Sequence, residues 1–484
     1  MHKQKLHHVL KERFGYDELR PGQEEIIQAV LAGKDVVAIL PTGMGKSLCY
    51  QLPAYLLGGT VLIISPLLSL MQDQVEQLKR LGEKRVVALN SFLSYQDKQR
   101  ILFNLSSYRF VFTSPEMIFQ PIVRDQLAKT NLSLIVTDEA HCISQWGFDF
   151  RPDYLRISDW LKTFQRPPVL ALTATATSKV VHDIQEYLQM YKPFIHIHSL
   201  DRPNIRYVIE KLENQDQKTE WLVSHTKTYE GPGIIYTQSR QRAEALSAIL
   251  NESGTRSGFY HAGMEQEDRV FVQQQFLSGE LQWVCATNAF GMGIHKDDIR
   301  QVIHDHLPAT PANYIQEVGR AGRNGNDAVA FLLYTEGDEE RTRFVVNEEI
   351  PIKHFIEMIN EKKSNGENPA RLVDDGFMNE TDFRVLSYWL ERTDPVETIQ
   401  IVERLRMDKN RQIQDMLKLI EDTTCLRGKI LTYFGQELDE SKKPLNCCSV
   451  CGVNLNNLLT KQKEELTSAS FSSWEERLGQ LFPI

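Results

Sequence analysis

The chain has 484 residues, of which 42% are hydrophobic and 25% charged, with a formal net charge of −9. This composition is typical of a soluble globular protein and excludes fibrous and disordered chains, and the length predicts about three domains. No apolar run approaches the roughly 18 residues that cross a bilayer, and the charged N-terminal segment excludes a signal peptide. We therefore predict a cytoplasmic protein with no membrane contact. The negative charge disfavours binding to nucleic acid through overall positive charge, but it leaves a local basic groove open.

Residues 30–200 alternate short β-branched runs with helical segments. PLLSLMQDQVEQLKRLG, for example, carries apolar residues at helical spacing. Such alternation predicts a parallel sheet with helices on both faces. The predicted strands are DVVAIL, TVLIIS, RFVFTS, LSLIVTD and PVLALTAT.

A second alternation follows the segment SLDRPNIRY (199–207), which has neither period and is predicted to be a linker. Its strands are PGIIYT, GFYHAG, QWVCAT, RQVIHD and AVAFLLY, and QRAEALSAILNES is an amphipathic helix. The chain is thus predicted to be α/β, with two tandem parallel-sheet domains over residues 1–205 and 206–335.

The strand signal ends near residue 336, and the remaining chain is predicted to be helical. We divide it into a helical insertion of unknown role (336–404), a helical zinc-binding subdomain (405–460) and a tail (461–484).

The segment LPTGMGKS (40–47) joins a predicted strand to a predicted helix. Unpaired N–H groups at a helix N-terminus bind phosphate, and glycines allow close backbone approach. Lys46 would reach the β- and γ-phosphates of a nucleotide, and Ser47 would bind Mg²⁺. The usual first glycine of such a loop is Leu40 here, so a chance match stays open. The predicted binding residues of the loop are Thr42, Gly43, Met44, Gly45, Lys46 and Ser47.

Two adjacent carboxylates, Asp138 and Glu139, end a later strand of the same predicted sheet. Ligand sites of parallel sheets lie at the carboxyl ends of the strands. Asp138 would hold Mg²⁺ through water, and Glu139 would orient and deprotonate the attacking water. The alternative is a solvated acidic pair.

The second domain carries Gln316, Arg320 and Arg323 in the segment QEVGRAGRNG. Placed across an interdomain cleft, the two arginines could stabilise negative charge on the transferred γ-phosphate. The alternative is a pair of surface arginines unrelated to phosphate.

Cysteines cluster near the end of the sequence, at Cys425, Cys447, Cys448 and Cys451. Four thiolates suit a tetrahedral structural Zn²⁺. Because Cys447 and Cys448 are adjacent, Cys447 is the least secure ligand, and a water or another residue is the alternative. Buried free thiols are the alternative to a metal site.

These motifs, taken in order, resemble those of superfamily 2 helicases and specifically of the RecQ family, over residues 10–335 and again over 405–452. The resemblance implies that the two parallel-sheet domains are RecA-like. FGYDELRPGQEEII resembles the adenine-recognition motif of the family. The resemblance implies that Tyr16 stacks on the base and that Arg20 and Gln23 bind its edge. The segments LTATAT, YTQSR, YHAGM and ATNAFGMGIHKDDIR follow in the expected order.

The resemblance also implies how DNA is bound. The loop SQWGFDFRP after DEAH would couple the nucleotide to single-stranded DNA, although its aromatic residues could instead be interdomain core. His141 would bridge towards Thr173 and Thr175. The implied DNA contacts are Trp146, Phe148, Arg151, Ser65, Thr113 and Thr287.

The implied activity is ATP-dependent 3′→5′ unwinding of DNA in recombination and repair, with ATP, Mg²⁺ and Zn²⁺ as cofactors. Expected partners are single-stranded and branched or tailed duplex DNA, with single-strand-binding and repair proteins. The protein is expected to be a monomer associated with the nucleoid. The sequence after the cysteines leaves no room for a winged helix or a further helical domain, which questions processive unwinding. An ATP-gated translocase or strand-annealing clamp, and an RNA-directed helicase, stay open.

Overall fold

Two parallel β-sheets form the core of the protein. The computed structural model describes residues 2–66, 68–90, 92–144, 153–229, 231–291, 296–348, 350–421 and 423–459. The first sheet consists of β1 (Val36–Ile39), β2 (Thr60–Ile64), β3 (Val86–Leu89), β4 (Phe110–Thr113), β5 (Leu132–Thr137), β6 (Val169–Thr173) and β7 (Phe194–Ile197). Its strands lie in the order β3-β4-β2-β5-β6-β1-β7, and neighbouring strands are parallel.

Both faces of the first sheet are covered by helices. Strands β1, β2 and β4 are buried along their whole length, as β-branched runs in two-sided parallel sheets are. The apolar side chains divide into two clusters, one on each face of the sheet. The helical segments of this half are His2–Val9, Leu10–Phe14 (a π-helix), Gln23–Leu31, Leu48–Leu56, Leu68–Arg80, Tyr95–Phe103, Leu105–Ser107 (3₁₀), Pro115–Ile118, Pro121–Lys129, Ala140–Ile143 (3₁₀), Asp153–Leu161 and Ser178–Tyr187.

The second domain repeats this architecture. Its strands are β8 (Ile205–Lys211), β9 (Gly233–Tyr236), β10 (Ser257–Tyr260), β11 (Trp283–Ala286), β12 (Gln301–His304) and β13 (Ala328–Tyr334). They lie in the order β10-β11-β9-β12-β13-β8, again parallel. The helices are Gln215–Thr228, Arg240–Glu252, Gln266–Ser278 and Pro311–Val318. The predicted α/β fold with two tandem parallel-sheet domains is therefore confirmed.

The predicted linker is too long. Ile205–Lys211 is strand β8, and its seven residues pair in register with β13. The segment IRYVIEK mixes apolar and charged side chains without a regular period and becomes exposed towards its end, and Pro203 just before it suggested a turn. The connection between the two sheets therefore ends at Asn204.

Helices continue after the second sheet and connect both domains. They are Asp338–Glu348, Lys353–Ser364, Arg371–Asp374, Glu380–Leu390, Pro395–Glu421, Leu426–Tyr433 and Leu455–Leu459. The helix Pro395–Glu421 runs across residue 404, and the division predicted at that point stays a prediction. Lys179 of the first domain pairs with Asp408 at 2.8 Å, whereas Ile413 and Met416 are buried in the core of the second domain.

None of the described helices is both long and apolar enough to cross a membrane.

Candidate ATP site and zinc-binding cluster

The loop 40–47 joins β1 to the helix Leu48–Leu56 at the carboxyl edge of the first sheet. Gly43 and Gly45 have φ angles of 89° and 73°, which a glycine adopts without steric cost. Lys46 Nζ lies 3.4 Å from Glu139 Oε1, and both side chains are largely buried. The end of β5 thus presents a carboxylate to the lysine of the loop.

Asp138 and Glu139 differ in their acidity. Burial and the neighbouring Glu139 raise the pKa of Asp138 to about 6, and Lys46 opposes this shift. Burial also acts to raise the pKa of Glu139, but Lys46 and His141 outweigh it and hold this pKa below its ordinary value. Glu139 is therefore ionised at neutral pH and can accept a proton from water.

His141 connects the ends of β5 and β6. Its Nδ1 lies 2.9 Å from Thr173 Oγ1 and 3.3 Å from Glu139 Oε2. Thr173 in turn donates to the carbonyl of Thr175 at 3.0 Å. Burial lowers the pKa of His141, so the ring is largely neutral at pH 7. The structure therefore places His141 against Thr173, which in turn bonds Thr175. The role that the resemblance implies for this contact stays a prediction.

Arg20 and Gln23 contact the phosphate-binding loop directly. Arg20 donates to the carbonyl of Gly43, and Gln23 Nε2 donates to the carbonyls of Met44 at 2.9 Å and Gly45 at 3.0 Å. The Tyr16 ring is 57% exposed and available for stacking. Recognition of adenine by these residues stays a prediction.

The arginines of the second domain reach the same loop. Gln316 lies in the helix Pro311–Val318, and Arg320 and Arg323 follow in the turns after it. A Cβ on Gly43 would lie 3.5 Å from Arg323 Cγ, so this side chain packs against the loop. Burial and the charge of Arg320 lower the pKa of Arg323 to about 10, which leaves it protonated at neutral pH. The site is therefore built from both domains.

Arg320 is buried as well. It is 6% exposed and donates to the carbonyl of Gly291. Its positive charge adds to the effect of Lys46 and His141 in lowering the pKa of Glu139.

Arg202 contacts both halves of the site, and no sequence motif indicated this role. Its guanidinium donates to the carbonyl of Thr42 at 3.5 Å, and to those of Ala321 at 3.2 Å and Gly322 at 2.7 Å. A side chain that binds backbone carbonyls leaves no partner residue to recognise in a motif. Because Arg202 also lies in a segment predicted to be a linker, it was not identified as a site residue.

The predicted DNA contacts are placed only in part. Trp146, Phe148 and Arg151 lie outside the described residues. Ser65 and Thr113, at the ends of β2 and β4, are buried, and the half-buried Thr287 follows β11. Their role in DNA binding stays a prediction that rests on these positions at strand ends.

Four cysteine thiols converge at Cys425, Cys447, Cys448 and Cys451. Their sulfurs all lie within 4.8 Å of one another, with 3.5 Å between Cys425 and Cys447 and 3.9 Å between Cys425 and Cys448. Sulfurs held about 2.3 Å from a tetrahedral zinc stand about 3.8 Å apart, so the group fits this metal. The adjacent Cys447 and Cys448 both belong to the cluster.

The backbone around Cys448 favours its thiolate form, whereas burial and the neighbouring thiols raise the pKa of Cys447. Burial acts to raise the pKa of Cys448, but N–H groups of Cys451, Leu426 and Val450 outweigh it and bring this pKa to about 7. The described cysteines form no disulfide. The chemistry of the group is therefore that of a metal-ligand set.

Three family models match the chain. They are DEAD/DEAH box helicase over residues 20–184, helicase conserved C-terminal domain over 217–325 and RecQ zinc-binding over 380–452. The third begins within the segment 336–404 that was predicted as an insertion. The family-level match therefore includes more of the helical region than the sequence motifs indicate.

Two solved helicase structures are similar in fold. The DUF1998 helicase MrfA bound to DNA and AMPPNP has a TM-score of 0.60 and 21% identity, covering 71% of this chain and 52% of that one. The DEAD-box helicase Mss116 bound to ssRNA and UDP-BeF has a TM-score of 0.58 and 18% identity, covering 81% and 90%. At this identity the likeness supports the fold alone.

Two relatives are similar in sequence along most of the chain. The probable ATP-dependent DNA helicase RecS of Bacillus subtilis (strain 168) is 40% identical over 99% of this chain and 98% of that protein. The ATP-dependent DNA helicase RecQ of Pasteurella multocida (strain Pm70) is 42% identical over 92% of this chain and 61% of that protein. The chain therefore belongs to the RecQ family of ATP-dependent DNA helicases.

Proposed function

We propose that this chain couples ATP hydrolysis to 3′→5′ translocation along single-stranded DNA and thereby separates duplex DNA, in recombination and repair. The observation that carries the proposal is the composite site, in which Arg323 packs against Gly43 and Arg202 bonds the carbonyls of both Thr42 and Gly322. Because groups from two domains serve one nucleotide, binding and hydrolysis of ATP are tied to closing and opening of the cleft. Alternating closure and opening is the motion that a translocase requires.

The residues divide the hydrolytic work as follows. Lys46 and the amides of loop 40–47 bind the β- and γ-phosphates, and Glu139 takes a proton from the attacking water. Arg320 and Arg323 stabilise the charge of the transferred phosphoryl group, and Gln316 in the preceding helix is proposed to assist them. Ser47 and Asp138 would hold Mg²⁺, which neutralises phosphate charge when bound.

Single-stranded DNA is proposed to cross the carboxyl edges of both sheets. Ser65, Thr113 and Thr287 lie there at the ends of β2, β4 and β11. Trp146 and Phe148 would stack on bases, at about 1–3 kcal/mol per base, and Arg151 would contact phosphate. Stacking does not depend on base identity and therefore suits a motor.

The four cysteines are proposed to bind one structural Zn²⁺. We expect a single zinc per chain by elemental analysis of protein purified without added metal. Cys451→Ser should lower this content severalfold, because three thiolates hold the ion less tightly. Cys285→Ser is the matched control, since this buried thiol lies in strand β11, outside the cluster. Metal-free wild-type protein that is equally stable would contradict the assignment.

Strand separation tests the proposed activity. A short duplex with either a 3′ or a 5′ single-stranded tail is incubated with the protein, ATP and Mg²⁺, and hydrolysis is followed in parallel. Separation of the 3′-tailed duplex alone is the expected result. Hydrolysis stimulated by DNA without separation would instead indicate a translocase or annealing clamp, and stronger stimulation by RNA an RNA-directed enzyme.

A further inference from the structure

Arg427 is a buried arginine that is attached to the connection between the two sheets. It lies in the first turn of the helix that Cys425 caps, and it is 1% exposed. Its guanidinium pairs with Asp201 and donates to the carbonyls of Arg202, at 3.0 Å, and Ile205. The helix after the first cysteine therefore fixes residues 201–205.

The remaining cysteines are attached to strand β8, which directly follows this connection. Tyr207 N donates to the carbonyl of Cys447 at 3.3 Å, and Ser449 N donates to the carbonyl of Tyr207 at 2.9 Å. Tyr207 and Cys448 form a parallel bridge at the outer edge of β8. The Arg427 guanidinium lies 5.1 Å from the Tyr207 ring centroid. Both parts of the cysteine cluster thus hold the chain just after Arg202.

The side chain of Arg202, within this connection, reaches the ATP site. Arg202 bonds the carbonyl of Thr42 in the phosphate-binding loop and those of Ala321 and Gly322, which lie between Arg320 and Arg323 in the sequence. The one residue is therefore in contact with both halves of the site.

This junction is closely packed. Asn204 Nδ2 donates to the carbonyls of Gly322 and Asn326, both at 2.8 Å. A cavity of about 20 Å³, lined by Thr42, Arg202 and Tyr207 among others, has room for about one water. If the connection moves, its neighbours in the ATP site must therefore move with it, because little free space separates them.

We propose that Arg427 and Arg202 are positioning residues of the ATPase, through which the cysteine cluster sets the placement of Arg320 and Arg323 against the phosphate-binding loop. The inference rests on the proposed hydrolysis of ATP by this site. Arg427 holds the backbone carbonyl of Arg202, and Arg202 holds the loop and the arginine turn together. The folded cysteine region thereby influences the rate of ATP hydrolysis, although none of its residues contacts the nucleotide.

Substitutions of Arg427 and Arg202 test this relay, by which we mean the positioning of the ATP site by Arg427 through Arg202. In Arg427→Met, kcat for DNA-stimulated ATP hydrolysis should fall about 10- to 100-fold, because small displacements of catalytic groups cost this much. KM for ATP should change less than about twofold, since the loop 40–47 is intact, and zinc content should stay at the wild-type value. Arg427→Lys keeps the charge but not the forked geometry, and should give an intermediate kcat.

The double variant Arg427→Met/Arg202→Met shows whether the two arginines affect kcat through one another or independently. If Arg427 acts through Arg202, then Arg202→Met with Arg427→Met should be no slower than the slower single variant. Arg392→Met is the matched control, because this arginine pairs with Asp159 of the first domain at 2.6 Å and does not contact residues 201–205. It should retain wild-type kcat.

Several results would overturn the proposal. One is a wild-type kcat in Arg427→Met. Another is a fold-loss of kcat in the double variant that equals the product of the two single losses. The third is a loss of kcat in Arg392→Met as large as that in Arg427→Met. If Arg427→Met does not fold, Asp201→Asn removes the same ion pair from outside the cysteine region. A lowered kcat in Asp201→Asn would then support the proposal, and a wild-type kcat would overturn it. A wild-type protein that hydrolyses no ATP would refute the proposed function itself, whereas active but unaffected variants refute only the relay.

Discussion

Asp138 and Glu139 are neighbours in the sequence but have opposite pKa shifts. The difference arises because Lys46 lies within 3.4 Å of Glu139, whereas burial and the charge of Glu139 dominate at Asp138. Glu139 also has a left-handed backbone with φ of 48°, which is uncommon for a residue other than glycine. Strain of this kind concentrates at functional sites and supports a specific role for this side chain.

We expect Glu139→Gln to separate ATP binding from hydrolysis. The amide cannot accept the proton of the attacking water, so hydrolysis should fall about 10²- to 10⁴-fold. Binding should persist because Lys46 and the loop amides are intact. A fluorescent ATP analogue measures binding, and phosphate release measures turnover. Lys46→Ala is the companion variant, which should lose both, and an active Glu139→Gln would exclude Glu139 as the base.

Asp138→Asn should stabilise the nucleotide-free protein while removing Mg²⁺-dependent hydrolysis. The pKa of Asp138 rises on folding from its ordinary 3.8 to about 6, so the folded state binds more protons within this window. Stability is therefore lost as pH rises from about 4 to 6, and the ionised carboxylate remains unfavourable at pH 8. The neutral amide should raise the thermal midpoint by a few degrees at pH 8, and less as pH falls below 6. An unchanged or lower midpoint at pH 8 would count against the shift.

The helix Pro395–Glu421 is held by two different kinds of contact along its length. Near its middle it pairs with the first domain through Lys179 and Asp408, whose side chains are 67% and 39% exposed. Its second half buries Ile413 and Met416 completely in the core of the second domain. The two kinds of contact differ strongly in what they contribute to stability.

Thermal or urea unfolding should distinguish the two halves of this helix. Lys179→Met removes an exposed ion pair and should cost at most about 1 kcal/mol. Met416→Ala leaves a cavity in the core and should cost about 2–5 kcal/mol. A loss in Lys179→Met as large as that in Met416→Ala would mean that the ion pair, and not apolar burial, holds this helix.

The strands that the sequence did not predict all lie at sheet edges. β3 and β7 border the first sheet, and β8 borders the second. An edge strand is exposed on one side, so its apolar run is short or interrupted, as the alternating exposure of Phe194–Ile197 illustrates. Central strands such as β2 are covered on both faces, and their continuous apolar runs were recognised. The sequence therefore predicted the interior of each sheet better than its borders.

The parts of the site that could be predicted from the sequence are those whose functional residues belong to a recognisable motif. Lys46, Asp138 and Arg320 belong to recognisable segments, and the structure brings all three to one cleft. Arg202 and Arg427 could not be found in this way, because they bind mainly backbone carbonyls from distant parts of the chain. Such contacts depend on the assembled molecule and leave no spacing signal in the sequence.

Across the whole molecule, one cleft joins the two sheets, the connection between them and the cysteine region. Unwinding should therefore require the second domain's arginine even when ATP and DNA are both bound. Arg320→Ala should bind the nucleotide nearly as wild type does, since the phosphate-binding loop belongs to the first domain. Without that charge, hydrolysis should fall about 10³-fold or more.

The most direct measurement is ATP-driven separation of a 3′-tailed duplex by the wild-type protein and by Arg320→Ala, at saturating ATP, Mg²⁺ and DNA. We predict that the wild type separates the strands and that Arg320→Ala, although it binds both ligands, does not. Equal separation by the two proteins, or none by the wild type, would contradict a motor whose ATP site is shared between its domains.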